Sequence, residues 1–158
     1  MRLSEHFTLG EMTKTTYHPK DGNIPSHVAI ENLRNLCENW LEELRYSYNT
    51  LYCLEPSDDY ETSPKVEGIV INSAYRSEEV NHMCWGSPTS NHLTGCAADI
   101  RCLGPEQMIR YGAILLDMAD GKRQDFDKLL LERRGTTYWI HLAVRPKDNR
   151  RKVAFDIR

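Results

Sequence analysis

The stretch that decides the fold is Ser90-Asn91-His92-Leu93-Thr94-Gly95-Cys96-Ala97-Ala98-Asp99. Gly95 allows a sharp turn, so a loop presents His92 and the strand that follows presents Asp99. Strand alternation places Ala97, Asp99 and Arg101 on one face, while the residues between them form an apolar face. The stretch therefore predicts a polar site on one side of a sheet whose other side is core.

A second strand is predicted in the apolar segment Tyr138-Trp139-Ile140-His141-Leu142-Ala143-Val144. Alternate residues of this segment form a core face, and they are Tyr138, Ile140, Leu142 and Val144. His141 points to the opposite face, together with Trp139 and Ala143. A histidine on such a strand is usually structural when it stands alone.

His92, Asp99 and His141 together favour a zinc site. Three protein ligands leave the fourth tetrahedral position to water, which is typical of a catalytic rather than a structural zinc. A buried carboxylate without a partner is costly, and a metal supplies the partner that Asp99 needs. Taken alone, Asp99 is equally well interpreted as a hydrogen-bonded structural aspartate.

The composition is that of a soluble globular protein. With 158 residues the chain has the length of one ordinary domain. A net charge of −3 gives no drive toward nucleic acid or anionic membranes. No apolar stretch is long enough for a membrane span, and no secretory signal is visible at the start. The odd count of 5 cysteines favours reduced thiols, and we interpret Cys84, Cys96 and Cys102 as small buried residues rather than ligands.

Local signals place helices early and strands late. Thr8 caps a short helix, a second helix begins near Ser26, and Ser77 caps a third. The second helix buries a stripe that consists of Leu33, Leu36, Cys37, Trp40, Leu41 and Leu44. A polar, proline-bounded loop is predicted over 55–64 and another loop over 86–94. Strands are predicted at 66–73, 97–103, 126–132, 137–144 and 153–157, with a helix over 105–120. This order predicts an α+β fold with a mainly antiparallel sheet flanked by helices.

A zinc hydrolase also requires a general base and groups that bind the substrate. Glu132, at the end of an apolar strand, is the predicted base because the inferred hairpin brings it toward His141. His82 is the fallback base, on a short helix. Arg76 is placed to stabilise an oxyanion or to bind a substrate carboxylate. Ser90 and Trp139 are the predicted substrate contacts. Glu132 and Arg76 also have an alternative interpretation, because glutamate and arginine are common in solvent-exposed turns and surfaces.

The spacing Ser-x-His-x-x-Gly-x-Ala-x-Asp, followed by a histidine on an apolar strand, resembles the zinc D-alanyl-D-alanine carboxypeptidase family. That family includes D,D-dipeptidases and phage L-alanyl-D-glutamate endopeptidases, which act on peptidoglycan stem peptides or their precursors. The segment Asn72-Ser73-Ala74-Tyr75-Arg76-Ser77 is similar to the family's Ser-Gly-Tyr-Arg-Ser segment. The opening Leu3-Ser4-Glu5-His6-Phe7-Thr8-Leu9-Gly10-Glu11-Met12 resembles the start of a phage-associated branch.

The resemblance implies one zinc per chain at His92, Asp99 and His141, with Arg76 and Ser90 at the substrate. Many members carry the base in Glu-x-x-His, but this chain has Tyr138 at that position. The segment ending at Glu132 resembles the strand-then-Glu arrangement of the related hedgehog signalling domain, which places Glu132 as the base. The implied fold is of the hedgehog/D,D-peptidase type.

We therefore expect one zinc peptidase domain over 1–158, with a basic C-terminal tail at 145–158. Its expected substrate is a peptidoglycan stem peptide, cut by a carboxypeptidase or by an endolysin-type endopeptidase. A non-catalytic binding module of the same fold, for wall peptides or a protein partner, is the alternative, and a structural zinc domain is the weakest. The basic tail is expected to be a solvated terminus, and no nucleic-acid partner is expected. Synthesis in the cytoplasm with release to the wall as a phage-type lysin fits the absence of a visible export signal.

Overall fold

A computed structural model describes residues 1–53, 66–121 and 124–157 of the chain. It consists of helices and a five-stranded sheet. The α-helices are α1 (Leu9–Met12), α2 (His27–Leu36), α3 (Glu42–Tyr48), α4 (Glu78–Met83) and α5 (Pro105–Gly121). The strands are β1 (Ile71–Ser73), β2 (Ala97–Cys102), β3 (Lys128–Arg134), β4 (Thr137–Ala143) and β5 (Lys152–Ile157). The predicted α+β class is confirmed.

The sheet has the strand order β1-β2-β4-β3-β5. Neighbouring strands are antiparallel except β5, which runs parallel to β3. The two strands that carry Asp99 and His141 are therefore hydrogen-bonded neighbours near the middle of the sheet. None of the helices in the described ranges has both the length and the hydropathy of a membrane span.

The core lies between one face of the sheet and the helical layer. Helices α2 and α3 are joined by a π-helical turn at Cys37–Leu41, and a second π-helical turn follows at Asn49–Cys53. The predicted stripe of this layer is fully buried: Leu33, Leu36, Cys37, Trp40, Leu41 and Leu44. Helix α5 contacts β2, β3 and β4. Ile100, Ile140 and Leu142 point into this core, which leaves the opposite sheet face for the site.

The predicted helix starts are confirmed by their caps. Thr8, Ser26 and Ser77 each accept a backbone N–H bond in the first turn of α1, α2 and α4, respectively. Each cap satisfies a donor that the helix itself leaves unpaired. The predicted hairpin is also confirmed, with Gly135 at φ 60° in the turn between β3 and β4.

Two predicted elements differ in detail from the structure, and a third lies outside the described residues. The first strand was expected over 66–73 but covers Ile71–Ser73, and its register with β2 is irregular between these two residues. The loop over 86–94 contains a 3₁₀ turn at Asn91–Thr94. The predicted loop over 55–64 lies outside the described residues.

The expectation of a merely solvated basic tail is wrong for part of the segment. The strand predicted over 153–157 is confirmed as the edge strand β5, Lys152–Ile157. Arg145 and Arg150 form ion pairs with Asp127, whose side chain is fully buried. A buried carboxylate requires such partners, so the tail contributes to the fold.

Candidate metal centre

The register of β2 and β4 brings two of the proposed ligands together. Asp99 lies directly opposite His141 on these antiparallel strands, so the two side chains share the sheet face that is turned away from the core. His141 Nδ1 lies 3.0 Å from Asp99 Oδ1. His92 approaches from the preceding turn, and its Nε2 lies 3.4 Å from Asp99 Oδ2.

The three side chains form a compact group of donors. One donor atom from each of His92, Asp99 and His141 lies within 4.8 Å of the others. The two imidazole rings stand at 66° with their centroids 5.0 Å apart. Two imidazole nitrogens and one carboxylate oxygen are the ligand types of catalytic zinc sites, so the donor set fits that metal.

Local structure fixes the orientation of His92. The 3₁₀ turn is capped by Ser90, whose Oγ accepts the His92 N–H, and it ends at Gly95 with φ 72°. His92 Nδ1 donates to the carbonyl of Ala74 at 2.5 Å. Because a carbonyl only accepts, Nδ1 carries a proton, which leaves Nε2, on the side of Asp99, as the ring nitrogen for a metal. Such a contact to the second ring nitrogen is usual for histidines that bind metals.

Asp99 is an anion in this environment. Burial alone would raise the pKa of Asp99, but the neighbouring His92 and His141 outweigh burial and hold that pKa well below its usual range. Arg76 adds a further partner, since its Nη2 donates to Asp99 Oδ2 at 2.9 Å and its Nε donates to Ser73 Oγ at 3.0 Å. These partners favour the carboxylate form of Asp99, which is the form that binds a cation.

Glu132 stands on the same sheet face as His141, two residue pairs along the hairpin. It lies opposite Trp139, while Leu130 lies opposite His141. Burial raises the pKa of Glu132, and the negative charge of Asp99 raises it further. His141 and a hydrogen bond from Trp139 act in the opposite direction. A half-buried carboxyl group with a raised pKa is suited to proton transfer.

The remaining predicted residues are more scattered. Ser90 serves as the cap of the turn, and Arg76 contacts Asp99 rather than standing free at the surface. His82 is exposed on α4 and does not join the donor group of the described residues.

The cysteines also stay outside the donor group in the described part of the chain. Cys96 and Cys102 are buried, and burial raises the pKa of the Cys102 thiol to about 12. Burial likewise raises the pKa of the Cys96 thiol. Cys84 Sγ donates to the carbonyl of Asn81 at 3.5 Å. The buried thiols of Cys96 and Cys102, whose pKa values are raised, are poor metal ligands.

Sequence reasoning missed the buried carboxylate of Asp127, which contacts the turn that carries His92. Asn91 Nδ2 donates to Asp127 Oδ2 at 2.9 Å, and Arg150 donates to both oxygens of the same carboxylate at 2.9 Å. The available signal was an aspartate at the start of an apolar strand in a chain with a basic tail. It shows that a partner is needed but does not show which residue provides it.

Comparison with known protein families identifies the family of this chain. The Peptidase M15 family matches residues 58–142, which is more than half of the chain and includes all three donor residues. The chain belongs to the peptidase M15 family. No curated protein matches the chain.

Membership of the peptidase M15 family makes the chain a metallopeptidase of a zinc-dependent family. The resemblance found in the sequence is thereby confirmed at the level of the family. The α+β domain with a mixed five-stranded sheet is compatible with the peptidase M15 fold.

Proposed function

We propose that the chain is a zinc peptidase that hydrolyses a peptide bond in peptidoglycan stem peptides. The observation that carries this proposal is the anionic Asp99 between two imidazoles, with Glu132 and Arg76 on either side of it. This arrangement contains a metal-ligand set, a carboxyl group with a raised pKa and a fixed cation, and acyl hydrolysis uses all three.

In the proposed mechanism His92, Asp99 and His141 would hold one zinc ion. Zinc bound there supplies a Lewis acid that polarises a carbonyl and lowers the pKa of water. Glu132 accepts the proton of the attacking water and returns it to the leaving amine. Arg76 places a positive charge where the oxyanion develops.

The substrate side of the proposal concerns residues around the same face. Ser90 and Trp139 flank the donor group along the chain, and Trp139 also donates a hydrogen bond to Glu132. We assign both residues to substrate contact, with Arg76. The proposed reaction is that of a carboxypeptidase or an endolysin-type endopeptidase, and we infer that a phage-type lysin released to the wall is the setting for such a reaction.

The test combines metal analysis with one matched pair of variants. Untagged protein purified without chelator should contain one zinc per chain, and His92→Ala should lose it. Glu132→Gln should keep the zinc but lose cleavage of purified muropeptides, because an amide cannot accept the proton. Glu38→Gln, an exposed glutamate on the helical side, is the control and should cleave at the wild-type rate.

The outcomes separate the enzyme from the binding module. Full cleavage by Glu132→Gln removes Glu132 from the mechanism. Muropeptide binding without turnover in zinc-loaded wild type favours the non-catalytic module. The observation behind this alternative is that Glu-x-x-His is absent before His141. A well-folded protein that takes up no zinc contradicts the proposal altogether.

A further inference from the structure

We propose that the chain forms a symmetric dimer through the outer edge of β5, the strand at one end of the sheet. A second copy of the chain adds its own β5 in antiparallel orientation, which joins the two five-stranded sheets into one. The pairing is centred on Ala154, so that Lys152 of each copy lies opposite Asp156 of the other. This inference goes beyond the proposed function and does not depend on it.

The backbone of β5 directs hydrogen-bonding groups away from its neighbour. Within the described part of the chain, β5 pairs with β3 alone. The N–H of Lys152 donates to the carbonyl of Asp127 at 3.0 Å, so this residue turns its backbone groups toward β3. Because these groups alternate in direction along a strand, Val153 and Phe155 turn their N–H and carbonyl groups toward the open edge. An open edge of this kind is a template for pairing with another strand.

The side chains on one face of β5 are apolar and exposed. Val153 is 48% exposed, Phe155 is 56% exposed and Ile157 is 49% exposed. Val153 lies in register with Leu129 of β3, which is fully buried in the core. The row therefore continues the core face of the sheet, but the helices of the same chain leave it about half uncovered. An apolar row beside an open strand edge is typical of a surface that another strand covers.

The sequence of β5 is complementary to a second copy of itself. In an antiparallel pair centred on Ala154, Val153 stands opposite Phe155 of the second copy, and symmetry repeats the pair. A β-branched side chain opposite an aromatic ring is a favourable cross-strand combination. On the other face Lys152 stands opposite Asp156, which are side chains of opposite charge. Both faces of the strand therefore fit the same partner.

The charges and the backbone together select this register. Val153 and Phe155 both turn their backbone groups outward, so the facing pair exchanges both of its hydrogen bonds. A pairing centred on Phe155 would instead place Ala154 opposite Asp156 and would lose the contact between opposite charges. The register centred on Ala154 is therefore the one that satisfies the backbone, the apolar row and the charges at once.

The proposed interface leaves the candidate metal centre open. Strand β3 lies between β5 and β4, which carries His141. The twofold axis of an antiparallel strand pair is perpendicular to the sheet, so the donor groups of both copies face the same side. Asp156 lies opposite Glu132 in the register with β3, and both line a cavity of about 170 Å³ with Trp139. The interface is therefore beside the site face and does not cross it.

The first test is the association state of the wild-type chain, measured by sedimentation equilibrium. Interfaces below about 1,200 Å² are typical of weak pairs, and a single strand pair belongs to this class. We therefore expect a reversible dimer that forms between about 10 μM and about 1 mM protein.

Charge reversal tests the contacts that set the register. Lys152→Asp and Asp156→Lys should each weaken the dimer by about tenfold, because opposite charges become like charges at symmetric positions. Lys147→Asp makes the same change at an exposed position outside β5, and it should leave the dissociation constant unchanged.

Mixing the two β5 variants tests the register directly. An equimolar mixture of Lys152→Asp and Asp156→Lys places opposite charges at both facing positions, so a heterodimer should form with nearly the affinity of the wild type. The double variant that carries both changes should regain the wild-type dimer for the same reason. Weak association of the mixture would overturn the register.

Amide hydrogen exchange on the wild type requires no variant. The amides of Val153 and Phe155 should exchange more slowly as the protein concentration rises, because the second copy accepts their hydrogen bonds. The amide of Ala154 points toward β3, so its exchange should not depend on concentration. A chain that stays monomeric up to about 1 mM overturns the proposal. A dimer that neither charge variant weakens, or that does not protect Val153, uses another surface and also overturns it.

Discussion

Glu132 shows how single neighbours set the chemistry of a residue. Burial and the charges of Asp99 and Asp156 raise the pKa of Glu132, while His141 and the Trp139 hydrogen bond lower it. As the base, Glu132 acts in its ionised form, so activity falls as the pH falls through its pKa. Changing one neighbour at a time should move the acid limb of the pH profile in a known direction.

Two substitutions should shift that limb in opposite directions. Trp139→Phe removes a hydrogen bond that favours the carboxylate, so the pKa of Glu132 rises and the acid limb moves to higher pH. Asp156→Asn removes a negative charge, so the pKa falls and the limb moves to lower pH. The measurement is kcat/KM against pH for a stem peptide, with the exposed Asp148→Asn as the control. Shifts in the same direction would contradict the assignment of Glu132 as the base.

Gly95 is the residue on which the position of His92 depends. Its φ is 72°, and a Cβ at this position would stand 2.4 Å from the backbone carbonyl oxygen of Ala29 in α2. A larger residue here would therefore have a strained backbone conformation and would also clash with the backbone of α2, which cannot shift without disturbing that helix. Gly135 is a matched control, because its φ is 60° but a Cβ there would have no neighbour within 4 Å.

We expect Gly95→Ala to lower the free energy of unfolding by about 3 kcal/mol or more, and Gly135→Ala by about 1 kcal/mol, the cost of the left-handed conformation alone. Urea unfolding of the two variants measures the difference. Zinc affinity should fall for Gly95→Ala and stay unchanged for Gly135→Ala. Equal losses of stability would show that the contact with α2 does not constrain the turn.

At the level of elements, Asp127 joins the start of β3 to the turn that carries His92 and to the segment before β5. Its carboxylate accepts hydrogen bonds from Arg150 and Asn91, and Arg145 Nε lies 3.2 Å from its Oδ1. The hydrogen bonds from Arg150 are the main reason why the pKa of Asp127 lies well below its usual range. Three separate parts of the chain thus meet at one buried anion.

Asp127→Asn should lower the free energy of unfolding at pH 7 by about 2 kcal/mol, because the ion pairs are lost while part of the hydrogen bonding remains. A carboxyl group whose pKa is depressed in the folded state stabilises the fold fully above its unfolded pKa of about 4. That contribution disappears as the pH falls through the folded pKa.

Chemical denaturation from pH 7 downward measures this dependence. The difference between wild type and Asp127→Asn should shrink as the medium becomes more acidic than about pH 4. The exposed Asp148→Asn should follow the wild type throughout. A difference that does not depend on pH would mean that the charge of Asp127 has no role in stability.

The elements that could be predicted from sequence are those with a regular pattern and a local signal. Alternation in β2 and β4 was sufficient to place Asp99 and His141 on one face, and hydroxyl caps located three helix starts. The parallel pairing of β5 with β3 and the role of Arg150 depend on partners far along the chain. Such partners leave no periodic trace. The π-helical turn at Cys37–Leu41 was missed because its residues continue the helical stripe without a break.

At the level of the whole molecule, the hydrophobic core and the metal-donor group lie on opposite faces of the sheet. One face of the sheet packs against α2, α3 and α5 and contains the core, while the other presents the donor group. The core residues of β2 and β4 alternate with the donor residues, so neither set depends on the other for packing. This arrangement predicts that the fold forms without a metal.

Metal removal tests that separation. We expect chelated protein to keep its far-ultraviolet circular dichroism and to unfold cooperatively, since the core is complete without an ion. Zinc at a hundredfold excess over its Kd should then add about 2.7 kcal/mol of stability, because it binds the folded state. Differential scanning calorimetry should show this as a rise in Tm of roughly 5 to 10 °C for a chain of this length.

His92→Ala is the control for this measurement, because it removes one ligand on the site face and leaves the buried faces of β2 and β4 unchanged. Its chelated form should unfold at a lower Tm than the chelated wild type, because the carbonyl of Ala74 loses the hydrogen bond from His92. Added zinc should shift the Tm of this variant little. Chelated wild type that is unfolded at room temperature would contradict the separation. Stability would then come from the ion, as in a structural zinc domain, and the open ligand set would have to be explained in another way.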